Sequence, residues 1–513
     1  MTAPSFDDGP SAPAHHGYIS GISGISGNSY ISGNPKEKNM SMRIRRRYTL
    51  ASMVVVVGLG TGVLADTKLP AVIGDNMVLQ QGRPLPIWGW DAPGTTVTVK
   101  FGSSESSAKA DESGKWTVTL PAAKAGGPHG MTVKGTTELQ LSGILVGEVW
   151  LCSGQSNMEW TVQQSNNAEK VVAKGDHPRI RHIKFQHRAA DTPQNDVPSE
   201  GWQVCSPKTV ADMTAVGYFF GRRLERNLDV PIGLIGSNWG GTRIEPWTPP
   251  VGFQKVPALK DIVDNLANLP TKNEDGEVHH QSPLALYNGM IHPIVPFAIR
   301  GAIWYQGESN NGEGMLYHEK MKALIAGWRH VWDNEDLPFY FVQLAPYRYE
   351  GDPKRLPGIW EAQLATLAVP NTGMAVTVDI ATTSNIHPPN KQDVGKRLAL
   401  WALAKDYGRT GTVYSGPLYK SMKVEDDRIR ISFDHVGKGL VARNAKPLDW
   451  FTIAGADKKF VDATATIDGA TVVVHAPSVS TPVAVRFGWH QEAEPNLSNQ
   501  AGLPASPFRT DRD

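Results

Sequence analysis

Cysteine is scarce in this chain, which contains only Cys152 and Cys205 among its 513 residues. Two cysteines exclude a small disulfide-stapled scaffold as the source of stability. Whether they pair stays open at this stage, because Cys152 ends an apolar strand, where a buried thiol is equally natural.

An excess of one charge sign is also missing. The chain has 51 basic and 50 acidic residues, a formal net charge of +1, and no long run of one sign beyond its N-terminal leader. Nucleic acid and anionic membrane surfaces are therefore not predicted as partners. Beyond the same leader there is no long apolar run, so we predict a soluble mature protein.

The N-terminal region has the composition of a leader rather than of a folded domain. Residues 1–39 are rich in glycine and serine and are predicted to be disordered, or to be an over-extended start. Residues 40–65 contain "RIRRR", an apolar core and a small-residue end at Ala65, which is typical of a signal peptide. The apolar core is shorter than the ~20 residues that span a bilayer. We therefore expect cleavage after Ala65 and export, to the periplasm or the extracellular space.

The remaining length predicts two or three domains. Residues 66–145 alternate apolar and polar positions between turn clusters, which predicts an antiparallel β-domain. Apolar strands alternate with amphipathic helical segments through residues 146–406, which predicts a mostly parallel sheet covered on both faces. An irregular polar excursion interrupts this region near 248–286. Residues 407–513 return to alternation and are predicted to form a second β-domain.

Four polar segments each follow a predicted strand of the central region. They are "VWLCSGQSNMEW" (149–160), "LIGSNWGGTRIEPW" (234–247), "AIWYQGESNNGEG" (302–314) and "TVDIATTSNIHPPNKQDVGKR" (377–397). Ligands of open α/β sheets bind beyond the carboxyl ends of the strands. Alone, each segment is more typical of a turn or a helix start; together they predict one site.

The residue types in these segments suit acyl transfer. Ser156, two residues after Gly154 in the turn that follows a strand, is a candidate nucleophile. The pair Gly240 and Gly241 permits the close backbone approach that an oxyanion-binding N–H requires. Asn310 offers a side-chain NH2 to an oxyanion, and His387 is a candidate base, although a lone histidine is more often structural.

The order Ser, Gly, Asn, His resembles the SGNH hydrolases. The blocks "CSGQSNMEW", "SNWGGTRIEPW", "AIWYQGESN" and "IHPPNKQDVGKRLA" resemble those of the sialate O-acetylesterase family of carbohydrate esterases, and the similarity spans nearly all of residues 66–511. This resemblance implies an α/β fold: a three-layer SGNH-hydrolase domain with a mostly parallel sheet, flanked by N-terminal and C-terminal antiparallel β-domains.

The resemblance also implies roles. Ser156 is then the nucleophile and His387 the general base and acid, and the acetyl group passes through an acetyl-enzyme to water. The implied oxyanion hole consists of the N–H of Ser156, an N–H of Gly240 or Gly241, and the Asn310 side chain. No metal or cofactor is needed, and the partner is an acetylated carbohydrate.

One position departs from the family pattern. Relatives carry Asp-Ile-His-Pro, whereas this chain has Asn385-Ile386-His387-Pro388. Three alternatives stay open: Asn385 orients the ring without charge, Asp379 folds back beside His387, or a backbone carbonyl orients the ring of a Ser–His dyad.

Other residues in or near the blocks are candidate contacts to the sugar: Gln155, Trp160, Trp239, Arg243, Tyr305, Gln306, Glu308 and Trp489. The sequence does not separate O-acetylated sialic acid from acetylated hemicellulose such as xylan or xyloglucan, although an exported enzyme with many aromatic residues favours hemicellulose. Two rival hypotheses are a non-catalytic sugar-binding relative and a general lipid or aryl esterase.

Overall fold

A large mixed β-sheet dominates the structure, a computed structural model that describes residues 66–511. The predicted disordered start at 1–39 and the predicted signal peptide at 40–65 lie outside the described residues.

Seven strands come first along the described chain: β1 (Val78–Gln80), β2 (Leu85–Trp90), β3 (Thr96–Phe101), β4 (Ser104–Lys109), β5 (Lys115–Leu120), β6 (Gly126–Lys134) and β7 (Glu138–Gly154). β3 pairs with β4 and β6, β6 with β7, and β2 with β5, all antiparallel, whereas β1 runs parallel to β7. The predicted alternation is evident in β5, whose Trp116, Val118 and Leu120 are buried between exposed neighbours.

Strand β7 joins this N-terminal region to the centre of the molecule. Its first part pairs with β6, and its last residues pair in parallel with two strands of the central region. The predicted boundary between residues 145 and 146 falls inside this strand. The hydrophobic core is continuous across it, because Val97 and Trp116 belong to the same buried cluster as Val149 and Ile235.

The central strands are β8 (Ile180–Lys184), β9 (Gln203–Val204), β10 (Ile232–Asn238), β11 (Gly301–Tyr305), β12 (Phe339–Val342) and β13 (Thr372–Ala375). They follow the order β13-β12-β11-β7-β10-β8-β9, and every pairing is parallel except that of β8 with β9. Every residue of β10 to β13 is buried, as expected for strands covered on both faces. The prediction of a mostly parallel central sheet is confirmed.

Eight α-helices accompany the strands of residues 66–511: α1 (Ser156–Glu159), α2 (Ala168–Ala173), α3 (Ala215–Leu228), α4 (Pro250–Gln254), α5 (Lys260–Asp264), α6 (Met315–Val331), α7 (Arg355–Thr366) and α8 (Lys391–Lys405). The predicted amphipathic helices correspond to α3, α6 and α8. Helix α8 begins with an N-cap, since the side chain of Asn390 accepts the backbone N–H of Asp393. Helices α4 and α5 lie within the predicted excursion, where Phe253, Val256 and Leu259 form part of a small core.

The C-terminal strands are β14 (Leu418–Glu425), β15 (Arg428–Asp434), β16 (Leu440–Ala442), β17 (Phe451–Ala454), β18 (Val461–Asp462), β19 (Thr464–Asp468), β20 (Thr471–His475), β21 (Ala484–Phe487), β22 (Leu497–Asn499) and β23 (Phe508–Arg509). All their pairings are antiparallel, as predicted. They enclose a hydrophobic core of their own, which includes Ile431, Ile453 and Phe487.

The two cysteines are both buried and are not bonded to each other. Cys152 lies inside β7, and the thiol of Cys205 is 3.3 Å from the carbonyl oxygen of Gly175. Within the described part of the chain, none of the helices combines the length and the apolar character needed to span a membrane.

Candidate active site

The four polar segments meet at one edge of the central sheet. Ser156 follows β7, Gly240 follows β10, Glu308 follows β11, and His387 follows β13. Strand β7 lies between β10 and β11, and all four strands are parallel, so their carboxyl ends reach the same edge.

Ser156 and His387 form the central contact of this edge. The Nε2 atom of His387 is 2.8 Å from the Oγ atom of Ser156, although the residues are 231 positions apart in sequence. This is hydrogen-bond distance, the arrangement required for a base that removes a proton from a nucleophile.

Three contacts hold His387 in place. Its backbone N–H donates to Oδ1 of Asn385 at 2.9 Å, and its ring stacks on Trp160 with centroids 4.6 Å apart and planes 20° from parallel. The preceding carbonyl, of Ile386, accepts from Nδ2 of Asn157 at 3.0 Å. Throughout residues 66–511, no hydrogen bond reaches the ring Nδ1 of His387. The ring orientation therefore depends on stacking and on the loop backbone.

Asp379 lies elsewhere, and the hypothesis that it folds back beside His387 is wrong. Its two carboxylate oxygens accept from the guanidinium of Arg397 in α8, at 2.6 and 2.7 Å. Arg397 is buried and requires an anionic partner, which explains why it captures this carboxylate. The alternative in which the Asn385 side chain orients the ring is wrong too, because that side chain bonds the His387 backbone instead.

The glycine pair lies against the nucleophile. A Cβ atom built on Gly240 would be 3.2 Å from Cβ of Ser156, so this position keeps the backbone close to the serine. The N–H of Gly240 donates to Oε2 of Glu159 at 2.9 Å. Among the described residues, the N–H groups of Ser156 and Gly241 have no hydrogen-bond acceptor.

Asn310 does not offer its NH2 group to this site, so that part of the predicted oxyanion hole is wrong. Nδ2 donates to Oε2 of Glu245 at 3.0 Å and to Oε2 of Glu313 at 3.1 Å, and Oδ1 accepts from the N–H of Ile244. The side chain is completely buried. Two carboxylates placed away from water need such donors, and Asn310 supplies one.

These carboxylates belong to an ionic cluster in which Glu245 and Lys320 are buried and Arg243 and Glu313 are partly exposed. Lys320 donates to both Glu245 and Glu313 at 2.7 Å, and Arg243 pairs with Glu245 at 3.0 Å and also with Glu313. Burial alone would raise the pKa of Glu245, but the neighbouring Lys320 and Arg243 outweigh it and lower that pKa to about 2. Arg243 thus braces the second block against the third.

A second polar network connects the nucleophile turn to the histidine loop. Asn157 donates to Oε1 of Glu308 at 2.6 Å as well as to Ile386, and its Oδ1 accepts from Nζ of Lys391. Burial lowers the pKa of Lys391 to about 7, although Glu308 opposes this shift, and burial raises the pKa of Glu308. Burial, and then the charge of Lys391, lower the pKa of His387.

Trp239, a predicted sugar contact, stacks on two histidines of the protein. His187 covers one face, with centroids 4.4 Å apart, and His280 stacks on the ring at 4.9 Å, both nearly parallel to the indole. His187 also lies 3.0 Å from Glu159, and Lys184 lies 3.5 Å from the same carboxylate.

The other candidate sugar contacts also bond mainly to protein. Gln306 is buried and donates to the carbonyl of Thr242, Gln155 is buried against the Gly307–Ser309 turn, and Tyr305 is buried. Trp489 lies in the C-terminal region, 5.3 Å from the guanidinium of Arg509. Trp160 contacts His387 itself.

Three residues of the site were absent from the predicted set: Asn157, Glu159 and Lys391. The first two lie in the same block as Ser156, one and three positions after it. Lys391 precedes Val394 by three positions, which places it on the buried face of α8. That spacing was the signal available in the sequence.

Comparisons with known proteins identify the family of this chain. Residues 146–404 match the family described as carbohydrate esterase, sialic acid-specific acetylesterase. Sialate O-acetylesterases of Homo sapiens and Pongo abelii are each 30% identical to the chain, covering 86% of it and 92% of the relative. A crystal structure of a carbohydrate acetylesterase from Xanthomonas citri is 39% identical, with a TM-score of 0.80, over 87% of this chain and 100% of that one.

Proposed function

The chain belongs to the carbohydrate esterase family of sialic acid-specific acetylesterases, and we propose that it hydrolyses acetyl esters on sugars through a Ser156–His387 dyad. The observation that carries this proposal is the 2.8 Å contact between His387 Nε2 and Ser156 Oγ at the ligand-binding edge of a parallel sheet.

The geometry supports a two-step acyl transfer. Ser156 Oγ attacks the acetyl carbon while His387 Nε2 takes the serine proton, and the tetrahedral intermediate then expels the sugar hydroxyl, which receives that proton. A water molecule enters, gives a proton to His387 and attacks the acetyl-enzyme. Acetate leaves and Ser156 recovers its proton.

The dyad uses a neutral imidazole. Burial and the charge of Lys391 hold the pKa of His387 below its ordinary value, so the ring is unprotonated and able to accept a proton at neutral pH. The Trp160 stack and the Asn157 bond to Ile386 supply the orientation that an acidic partner supplies elsewhere.

The oxyanion is stabilised by backbone N–H groups in this proposal. Ser156 begins α1, where the first N–H groups of a helix lack internal partners. Gly241 supplies a second N–H, because that of Gly240 is bound to Glu159. One such donor typically lowers the barrier by ~3 kcal/mol.

We also propose the wider architecture implied by the family. The helices cover both faces of the parallel sheet in the three-layer SGNH arrangement, and the flanking β-regions are domains at 66–145 and 407–513. In this proposal the protein is exported and is cleaved after Ala65.

The test measures acetate release from 4-nitrophenyl acetate, acetylated xylan and O-acetylated sialic acid, for wild type and Ser156→Ala. We expect release from at least one sugar ester that falls by a factor of ~10⁴ or more in Ser156→Ala. No Ser156-dependent release from any substrate would support a non-catalytic binding protein. A preference for long acyl esters would support a lipid esterase.

A further inference from the structure

A cavity of about 640 Å³ lies beside the catalytic dyad without including it. Neither Ser156 nor His387 lines it. Its charged lining residues are Glu159, Lys184, His187, Glu200, Lys208 and Asp212. The volume falls within the range of small-molecule sites in proteins.

The cavity lies at the same edge of the sheet as the dyad. Lys184 is the last residue of β8, and His187 follows it, so this wall stands beyond the carboxyl end of β8. Strand β10 separates β8 from β7, which ends beside Ser156. Two strand spacings amount to about 10 Å, the reach of a ligand longer than one sugar residue.

Glu159 connects the two places physically. Its carboxylate lines the cavity and also accepts the N–H of Gly240, the residue packed against Ser156. Burial alone would raise the pKa of Glu159, but its bond to His187, the charge of that histidine and the Gly240 N–H outweigh it and lower the pKa. The carboxylate is therefore ionised at neutral pH.

The charge of the lining decides the class of ligand. Three carboxylates, of Glu159, Glu200 and Asp212, face two ammonium groups, of Lys184 and Lys208, which leaves one net negative charge. Protonation of His187 would bring the balance only to zero. Lys184 and His187 are moreover paired with Glu159. Such a wall offers many hydrogen bonds to hydroxyl groups and no net attraction to an anion.

We propose that this cavity binds the sugar residue next to the acetylated one, so that the substrate is a neutral oligosaccharide rather than an acidic monosaccharide. The proposal rests on the proposed esterase function. It places the acetyl ester at Ser156 and the adjoining residue over the end of β8.

The first experiment compares chain lengths. kcat/KM is measured for acetylated xylose, glucose and mannose, for acetylated oligosaccharides built from each, and for O-acetylated sialic acid. We expect kcat/KM for at least one oligosaccharide to be about tenfold higher than kcat/KM for its own monosaccharide and for O-acetylated sialic acid. A tenfold difference is the effect of one or two added hydrogen bonds. Equal values for every pair, or the highest value for sialic acid, would overturn the proposal.

The second experiment fills the cavity. Gln203→Trp places an indole in the lining, and the ratio of kcat/KM for the oligosaccharide to that for its monosaccharide is expected to fall to about one. The ratio separates a blocked subsite from a folding defect, which lowers both values together. An unchanged ratio would contradict the proposal.

The third experiment reverses a charge. Glu200→Lys changes the lining from one net negative to one net positive charge and is expected to raise the relative kcat/KM for O-acetylated sialic acid. Glu112→Lys, an exposed position outside the cavity, is the matched control and is expected to leave the preference unchanged. If the wild type shows no Ser156-dependent acetate release, the esterase function itself is refuted. If acetate is released without any preference for chain length or charge, only the inference about this cavity is refuted.

Discussion

Asn310 and Asp379 are polar side chains at the catalytic edge whose partners are other protein groups. Asn310 bonds two carboxylates of the ionic cluster, and Asp379 bonds Arg397 of α8. We therefore expect both to contribute to folding rather than to act on the reacting atoms. Substitutions at these positions distinguish the two roles, because stability and turnover are measured separately.

Asn310→Ala is expected to lower the free energy of unfolding by ~2 kcal/mol, because the Glu245 and Glu313 carboxylates each lose a donor. kcat for 4-nitrophenyl acetate should stay within about threefold of wild type, whereas loss of an oxyanion donor costs about 10²–10³. Urea unfolding and steady-state kinetics provide the two numbers. Asn311→Ala is the matched control. A hundredfold fall in the kcat of Asn310→Ala would show that Asn310 is an oxyanion donor.

Asp379→Asn is expected to destabilise the protein by roughly 3 kcal/mol, because it leaves Arg397 buried without its anion. Its kcat should change little once the protein is folded.

Asn385→Asp, in contrast, adds a carboxylate next to His387 and should raise the pKa of that ring. The base must be unprotonated to act, so the acid limb of kcat/KM moves to higher pH. A pH–rate profile checks both variants, and a shift in Asp379→Asn but not in Asn385→Asp would contradict this assignment.

The elements of the fold follow from patterns that the sequence displays, but the contacts between their ends do not. The spacing of apolar residues along the sequence predicts the strands and the buried faces of α3, α6 and α8. The position of four polar segments just after strands predicts the sheet edge at which Ser156 and His387 meet. The pairing of Asp379 with Arg397 depends on how the loop before α8 lies against that helix. No local propensity encodes this ion pair. The short distance in sequence between Asp379 and His387 suggests instead that those two residues are partners.

The start of α8 is tied to the start of α1 by Lys391 and Asn157, and this tie is expected to position His387. Lys391→Met should reduce kcat/KM for 4-nitrophenyl acetate by about tenfold, because Asn157 loses a donor and holds Ile386 less firmly. Lys391→Gln keeps an N–H donor and should retain more of the activity.

The pH profile distinguishes this role from a purely structural one. Below its pKa of about 7, Lys391 is charged and lowers the pKa of His387. The other groups in contact with the His387 ring, Trp160 and Ser156, are uncharged, and the carboxyl group of Glu308 faces Lys391. Removing the charge, in either variant, raises the pKa of His387 and moves the acid limb to higher pH. Identical profiles in all three proteins would refute the electrostatic link.

At the scale of the whole molecule, β7 belongs to both the N-terminal strands and the catalytic sheet, so the two are expected to unfold cooperatively. Trp116→Ala in β5 is expected to cost ~3–5 kcal/mol, and esterase activity should be lost at the same urea concentration as N-terminal structure. Thr117→Ala, on the exposed face of the same strand, is the control. Two separate transitions, with activity surviving the first, would show that the N-terminal strands unfold independently.

Because β7 lies in the middle of the sheet, amide hydrogen exchange is expected to be slower on the Ser156 side of the dyad than on the His387 side. Trp150, Leu151 and Cys152 are buried and pair with β10 on one side and β11 on the other, so their N–H groups exchange only when the whole sheet opens. The loop that carries His387 is held by a few turn and side-chain bonds and should exchange much sooner. The nucleophile is thus attached to the slowest-opening segment and the base to a quickly opening one, so the base side should be the first to lose its order on warming.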